Sequence, residues 1–262
     1  MARAVLFDLD DTLFDHRRSA RAALTEVHRI HGRGTDLDAF EREHTASLEV
    51  MHVEVLAGRM GLDEARRERF RRVFSALGIT PGEADVDAAA SAYRSGYMVA
   101  RRALDGAAEL LLALRPHARI GIVTNNLLEE QRDKLAYCGL AACVDELIAS
   151  EDVGVSKPDR GIFDIALRRM GVTAADAVMV GDSWVNDIAG AVNAGIRAIW
   201  FNPDRKAAPA IPAGVPEIHA LTPAADVLPL LLGPPSPADA GFGPPSPADA
   251  GFGETGGERT SS

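Results

Sequence analysis

Short apolar runs that stop abruptly at polar residues recur along this chain. Val5-Leu6-Phe7 runs into Asp8, Ile120-Gly121-Ile122-Val123 into Thr124, and Val178-Met179-Val180 into Gly181-Asp182. Hydrophobicity that is continuous rather than alternating, and rich in β-branched residues, predicts parallel strands buried on both faces, with functional groups at their C-terminal tips. Leu147-Ile148, Ala198-Ile199-Trp200-Phe201 and Ile218 give weaker strand signals. Helical spacing between them, over Glu129 to Tyr137, Gly161 to Met170 and Asp187 to Asn193, completes an alternation that predicts an α/β fold built on a doubly wound, Rossmann-like parallel sheet.

From Asp15 to about Arg102 the texture changes. Strand signals vanish and apolar residues recur at helical spacing among many Arg, Glu and Ala, which predicts a helical insertion after the first strand, returning near Asp105-Gly106. A helix over Gly106 to Leu114 then stops at Pro116. The expected division is residues 1–14 and 103–232 for the sheet core, 15–102 for the insertion and 233–262 for a tail. In that tail Gly-Pro-Pro-Ser-Pro-Ala-Asp-Ala-Gly-Phe occurs twice in tandem, a composition too poor in apolar residues to offset its ordering entropy, so disorder is expected there.

The chain has 262 residues, 47% hydrophobic and 5% aromatic, enough for one sizeable core with a smaller inserted unit. Its net charge of −10 argues against an extended basic surface for a nucleic acid polymer. Cys138 and Cys143 are the two cysteines, and without a second pair or clustered histidines they read as reduced thiols in or near the core. No secretory signal opens the sequence and no run approaches the roughly 18 apolar residues of a membrane span, so a cytoplasmic protein without a membrane partner is expected.

The strand ends carry the chemistry. Asp8 and Asp10 lie two apart just after the first strand and point the same way, so both can approach one ligand. Two such carboxylates repel, and a cation or a shared proton is needed to settle them. Asp182 and Asp187 repeat the arrangement after another strand, although Asp187 also fits the start of a helix, where it could be a cap. Thr124 and Asn125 offer a hydroxyl, an amide and backbone N–H groups suited to phosphate oxygens, or an ordinary polar turn. Lys157 precedes Pro158, and proline suits a first helical position, so the lysine is expected at a positive helix end. A cation gains nothing there from the helix dipole, and its placement suggests an external anion.

Together, in this order and spacing, these segments resemble the four motifs of the haloacid dehalogenase superfamily: Asp8 to Thr12, Thr124 with Asn125, Lys157 before proline, and Gly181 to Asp187. The resemblance covers roughly residues 3 to 232 and makes the helical insertion a cap domain. It implies a phosphatase in which Asp8 is the nucleophile, forming an aspartyl-phosphate, and Asp10 carries the proton. It also implies Mg2+ held by the Asp8 carboxylate, the Asp10 carbonyl and Asp182, with Asp187 orienting metal-bound water or Lys157 and Thr12 in support. Thr124, Asn125 and Lys157 would bind the phosphoryl oxygens. Dehalogenases and phosphonate-cleaving relatives lack an aspartate at the position of Asp10, and β-phosphoglucomutase-like enzymes usually carry glycine at that of Asp11, so hydrolysis is favoured. A phosphomutase and a non-catalytic regulatory descendant are the alternatives. The implied substrate is a small phosphorylated metabolite such as a sugar phosphate or nucleotide, chosen by the cap and by Phe14, Asp15 and His16. The cluster Arg66, Arg67, Arg69, Arg71 and Arg72 reads first as the solvated side of an amphipathic helix, with an anion-binding face as the alternative.

Overall fold

The computed structural model describes residues 2–32, 34–207 and 214–233. The expected disordered tail lies outside the described residues, apart from Gly233.

Six strands form one parallel sheet: β1 (Ala4–Phe7), β2 (Arg119–Thr124), β3 (Glu146–Ala149), β4 (Ala177–Gly181), β5 (Arg197–Phe201) and β6 (Glu217–Ile218), in the spatial order β3-β2-β1-β4-β5-β6. Every strand signal in the sequence is thus realised. β1 is central, with Phe7 opposite Ile122 on one side and Val180 on the other. Because side chains alternate across a strand, Val5, Phe7, Ile120, Ile122, Val178 and Val180 enter one core, while Ala4, Leu6, Val123, Ile148, Met179 and Ala198 enter a second core on the opposite face. Burial on both faces is why β1 and β4 carry no charged or polar side chain along their length.

Among the described residues ten α-helices complete the fold. Four follow β1: α1 (His16–His31), α2 (Leu37–Leu56), α3 (Leu62–Ala76) and α4 (Glu83–Ala100). The others are α5 (Ala107–Leu114), α6 (Leu128–Tyr137), α7 (Ser150–Val153), α8 (Arg160–Met170), α9 (Gly190–Asn193) and α10 (Ala224–Leu232). α5 and α10 cover the first face through Leu110, Leu111, Leu114, Val227 and Leu231, and α8 covers the second through Ile162, Phe163, Ala166 and Met170. α5 starts at Gly106, whose φ of +84° and close approach to Thr222 (2.7 Å to a hypothetical Cβ) require glycine.

α1 to α4 form the helical insertion expected from the sequence. Phe40 of α2, Phe70 and Phe74 of α3 and Tyr93 of α4 are buried together, with His44 packed 4.6 Å from the Tyr93 ring and 5.5 Å from that of Phe70. On α3, Arg67, Arg71 and Arg72 pair with carboxylates on the exposed side, as the amphipathic reading expects. Arg69 departs from it: it lies in the i, i+4 row Ala65–Arg69–Val73 that faces the bundle interior, and it is only 8% exposed.

Two local expectations are corrected. Pro158 does not open α8: Asp159 caps that helix by accepting from Gly161 N at 2.7 Å, so Lys157 stands in the loop before the helix and not at its first turn. Asp187 does not begin the helix after β4. Ser183 is the cap, accepting from Asn186 N, and a wide π-type turn over Trp184–Ala189 runs into α9. Both cysteines are free thiols, Cys143 buried and Cys138 half-buried.

Candidate active site

In an open parallel sheet, the crevice for a ligand lies at the C-terminal ends of the strands where the winding direction reverses. Here the reversal falls between β1 and β4, and Asp8 and Asp182 are the first residues beyond those two strands. Asp8 continues the ladder by donating its N–H to Val180 O at 2.9 Å, which fixes its backbone in the sheet.

Lys157 joins the cluster from the opposite loop. Its ammonium donates to Asp8 Oδ1 at 2.6 Å, Asp187 Oδ1 at 2.6 Å and Val123 O at 2.7 Å, so all three protons are used. Burial alone would lower its pKa, but Asp187 and Asp8 outweigh that and keep it a cation. Asp187 is fully enclosed, its other oxygen accepting from Ser183 N at 2.9 Å. A Cβ on Gly181 would stand 2.3 Å from that oxygen, which is why glycine precedes Asp182.

Oxygens of Asp8, Asp182 and Asp187 lie within 4.8 Å of one another. Burial, reinforced by Asp187 and Asp182, pushes the Asp8 carboxyl well up despite Lys157. Burial, with Asp187 and then Asp11, likewise raises Asp182 to about 6 against the pull of Arg17. Such crowding of hard oxygens is the donor set of a magnesium-type cation. Asp187 is the most enclosed of the three, so Asp8 and Asp182, whose side chains keep some exposure, are the carboxylates a cation could reach. Arg17 of α1 partly compensates the cluster, reaching Asp182 at 2.8 Å, Asp11 at 3.1 Å and Asp204 at 2.6 Å.

Asp10 belongs to a second group. Its carboxylate accepts from Lys134 Nζ at 2.5 Å, Gln131 Nε2 at 2.9 Å and Asn126 Nδ2 at 3.1 Å. Burial raises its pKa, but Lys134, His16 and these hydrogen bonds overcome that and hold it well below the usual carboxylate range. Asp11, in the turn after it, adopts φ +61°, a left-handed conformation that aspartate tolerates better than most residues.

The remaining predicted residues are distributed around these two groups. Thr12 is buried and its hydroxyl lies 3.4 Å from Asp8 Oδ2. Thr124 Oγ1 accepts from Gln131 at 3.1 Å. Asn125 spends its amide on the Lys157 backbone, donating to Lys157 O and accepting from Lys157 N, both at 2.7 Å, so it clamps the lysine loop against the β2 tip. Of the three residues assigned to selectivity, Phe14 is fully buried and Asp15 caps α1, while His16 faces a cavity and bonds Tyr97 Oη at 2.8 Å.

That cavity, about 290 Å³, lies between the insertion and α6 and reaches Asp10 and Lys134. Sequence reasoning missed Lys134, Gln131, Arg17 and Arg69. The signal for the first two was available: Gln131 and Lys134 are spaced i, i+3 on the helix that follows Thr124, and so share the face turned to the sheet tip.

Fold and site define an α/β protein with a carboxylate cluster and a buried lysine at the switch point of a parallel sheet. The chain matches the family model described as haloacid dehalogenase-like hydrolase over residues 2–195, and it belongs to that family. It is 31% identical over 206 residues to pyrimidine 5'-nucleotidase YjjG of Escherichia coli, covering 78% of this chain and 88% of that protein. It is 32% identical over 210 residues to ribulose-1,5-bisphosphate 5-phosphatase of Halopiger xanaduensis, covering 79% and 87%. Among solved structures, the magnesium-bound HAD-hydrolase YfnB of Bacillus subtilis aligns with a TM-score of 0.68 at 27% identity, covering 87% of this chain and 98% of that one. Among the described residues no helix is long and apolar enough to cross a membrane.

Proposed function

We propose that this chain is a magnesium-dependent phosphatase that hydrolyses a small phosphomonoester through an aspartyl-phosphate on Asp8. The observation that carries the reading is the convergence of Asp8, Lys157, Asp182 and Asp187 at the tip of the central strand. The nucleotidase and bisphosphate phosphatase among its relatives support the same class of substrate.

In the first step an Asp8 oxygen attacks phosphorus, the ester P–O bond breaks, and the leaving oxygen takes a proton from Asp10. In the second, water attacks the aspartyl-phosphate, Asp10 takes the water proton, and the Asp8–phosphorus bond breaks to release phosphate. Lys134 keeps Asp10 ionised at rest, the form needed for the second step, so donation in the first requires that this pair open as substrate seats and that Asp10 take up a proton from water before the ester bond breaks. Lys157 neutralises charge on the phosphoryl oxygens, held in place by Asp187 and by the Asn125 clamp. Thr124 and the backbone at the β2 tip complete the phosphate cradle. Bound magnesium, on Asp8, Asp182 and the Asp10 carbonyl, would supply charge neutralisation between nucleophile and phosphate.

Residues 1–14 and 103–232 act as the catalytic core, and 15–102 as the cap that encloses the leaving group. Arg66 and Arg94 of the insertion both reach Glu130 of α6, at 2.7 and 3.4 Å, and His52 bonds Asn125 O at 2.7 Å, contacts that a closing cap would make. The test is phosphate release from a panel of phosphorylated metabolites. Asp8→Asn should lose at least 10³-fold in kcat while keeping the fold, since the amide cannot attack phosphorus. Chelation should silence the wild type and Mg2+ restore it. Full turnover in chelator, or by Asp8→Asn, refutes the reading.

A further inference from the structure

Arg69 is a buried cation that no carboxylate among the described residues approaches within ion-pair distance, Glu130 attracting it only from farther off, and its Nε finds no acceptor. Its polar neighbour is His44, whose Nε2 lies 3.5 Å from Nη1, and its guanidinium stands 5.9 Å from the centre of the Tyr93 ring. His44 is itself enclosed, and burial keeps it neutral, so it contributes an acceptor and no charge. An arginine so placed costs stability, because its desolvation is not repaid by an ion pair. The other members of its row, Ala65 and Val73, are apolar, so a charge is the exception on this face of the helix.

The same side chain lines the cavity that reaches Asp10. Of the four carboxylates lining the cavity, Glu130 is engaged by Arg66 and Arg94, Asp133 by Arg101 and Asp10 by Lys134, while Glu49 is exposed to solvent and makes no ion pair with Arg69. At about 290 Å³ the cavity is at the small end of ligand sites. Resting on the phosphatase reading, which puts the leaving group in this cavity, we propose that Arg69 seats a second anionic group on the substrate. The substrate is then a small phosphomonoester whose leaving portion carries a carboxylate or a further phosphate. Both present the planar or clustered oxygens that a guanidinium fork binds best.

The test pairs ω-carboxyalkyl phosphates and alkanediol bisphosphates of two to five carbons with alkyl phosphates of equal length, scored by kcat/KM for wild type and Arg69→Met. The wild type should prefer the doubly anionic member of at least one series by tenfold or more, up to about 100-fold, the range for a charged hydrogen bond. The two series separate carboxylate from phosphate. Arg69→Met should erase the preference and leave the thermal midpoint of the ligand-free protein unchanged or raised, whereas a purely structural arginine would lower it and leave the substrate ratio alone. Calorimetric titration of the same compounds into Asp8→Asn, with and without Arg69→Met, reads the anion seat without turnover. Arg69-dependent binding with no hydrolysis of any compound would sustain the seat while sinking the phosphatase. Equal kcat/KM within every pair, a preference that survives Arg69→Met, or calorimetric affinity indifferent to the second anion would overturn the proposal.

Discussion

Asp182 keeps its proton up to about pH 6 because burial, Asp187 and Asp11 all penalise its charge, whereas in the unfolded chain it would ionise near 3.8. The folded state therefore binds the extra proton between those values, and stability contributed by this group falls as pH rises through the window. The penalty is complete above about pH 6.5 and on the order of 3 kcal/mol. Asp182→Asn should accordingly stabilise the metal-free protein by that amount at pH 7, and the gain should vanish by pH 4, read as the difference between urea unfolding curves in chelator. Equal stability at pH 7 would show that Arg17 already compensates the charge. At this scale the sequence was most informative where a functional group ends a strand. Asp8, Thr124 and Asp182 were legible because an apolar run stops at each, and a strand tip in a parallel sheet is a defined place. Arg69 was not, because a basic residue in a helix reads the same whether its face meets water or a cavity. Only the packing of α3 decides which.

Helices were legible as elements and less so at their ends. Ser183 and Asp187 compete to cap the turn after β4, and a single hydrogen bond from Asn186 N to Ser183 settles it, a difference too small for residue preference to resolve. Asp159 similarly displaces Pro158 from the start of α8, and the outcome matters: it leaves Lys157 in a loop free to reach Asp8. Within the insertion, α2 carries a titration of its own. His44, neutral in the bundle through burial and then through Arg69, would take up a proton near pH 6.5 once unfolded. Its folded pKa being depressed, the helical bundle loses stability as pH falls below about 6.5, by about 1.4 kcal/mol per unit while the imidazole stays neutral. His44→Phe, which keeps an aromatic ring beside Tyr93 and Phe70, should flatten that loss by about 2 kcal/mol between pH 6.5 and 5. Parallel pH profiles for the two proteins would mean that His44 is protonated in the folded state.

For the whole molecule, the doubly wound sheet and the place of the insertion followed from periodicity alone, since strands buried on both faces and amphipathic helices differ in pattern. The strand order did not, because nothing in an apolar run says which neighbour it will choose. That order has a consequence for biosynthesis. β1 is made first among the strands, yet its partners begin at Arg119 and Ala177, and the whole insertion is translated in between. At about 5–20 residues per second, Ala4–Phe7 waits roughly 10 to 35 s before β4 exists to flank it. Until β2 is made this fully apolar strand has both hydrogen-bonding edges open, and from then until β4 exists it keeps one, the condition that invites association between nascent chains. Ribosome-stalled chains should therefore keep β1 open to protease until the segment through Gly181 has cleared the exit tunnel, and become resistant in one step soon afterwards. Early resistance, in chains that stop short of β4, would mean that the nascent segment has found a temporary partner for its central strand.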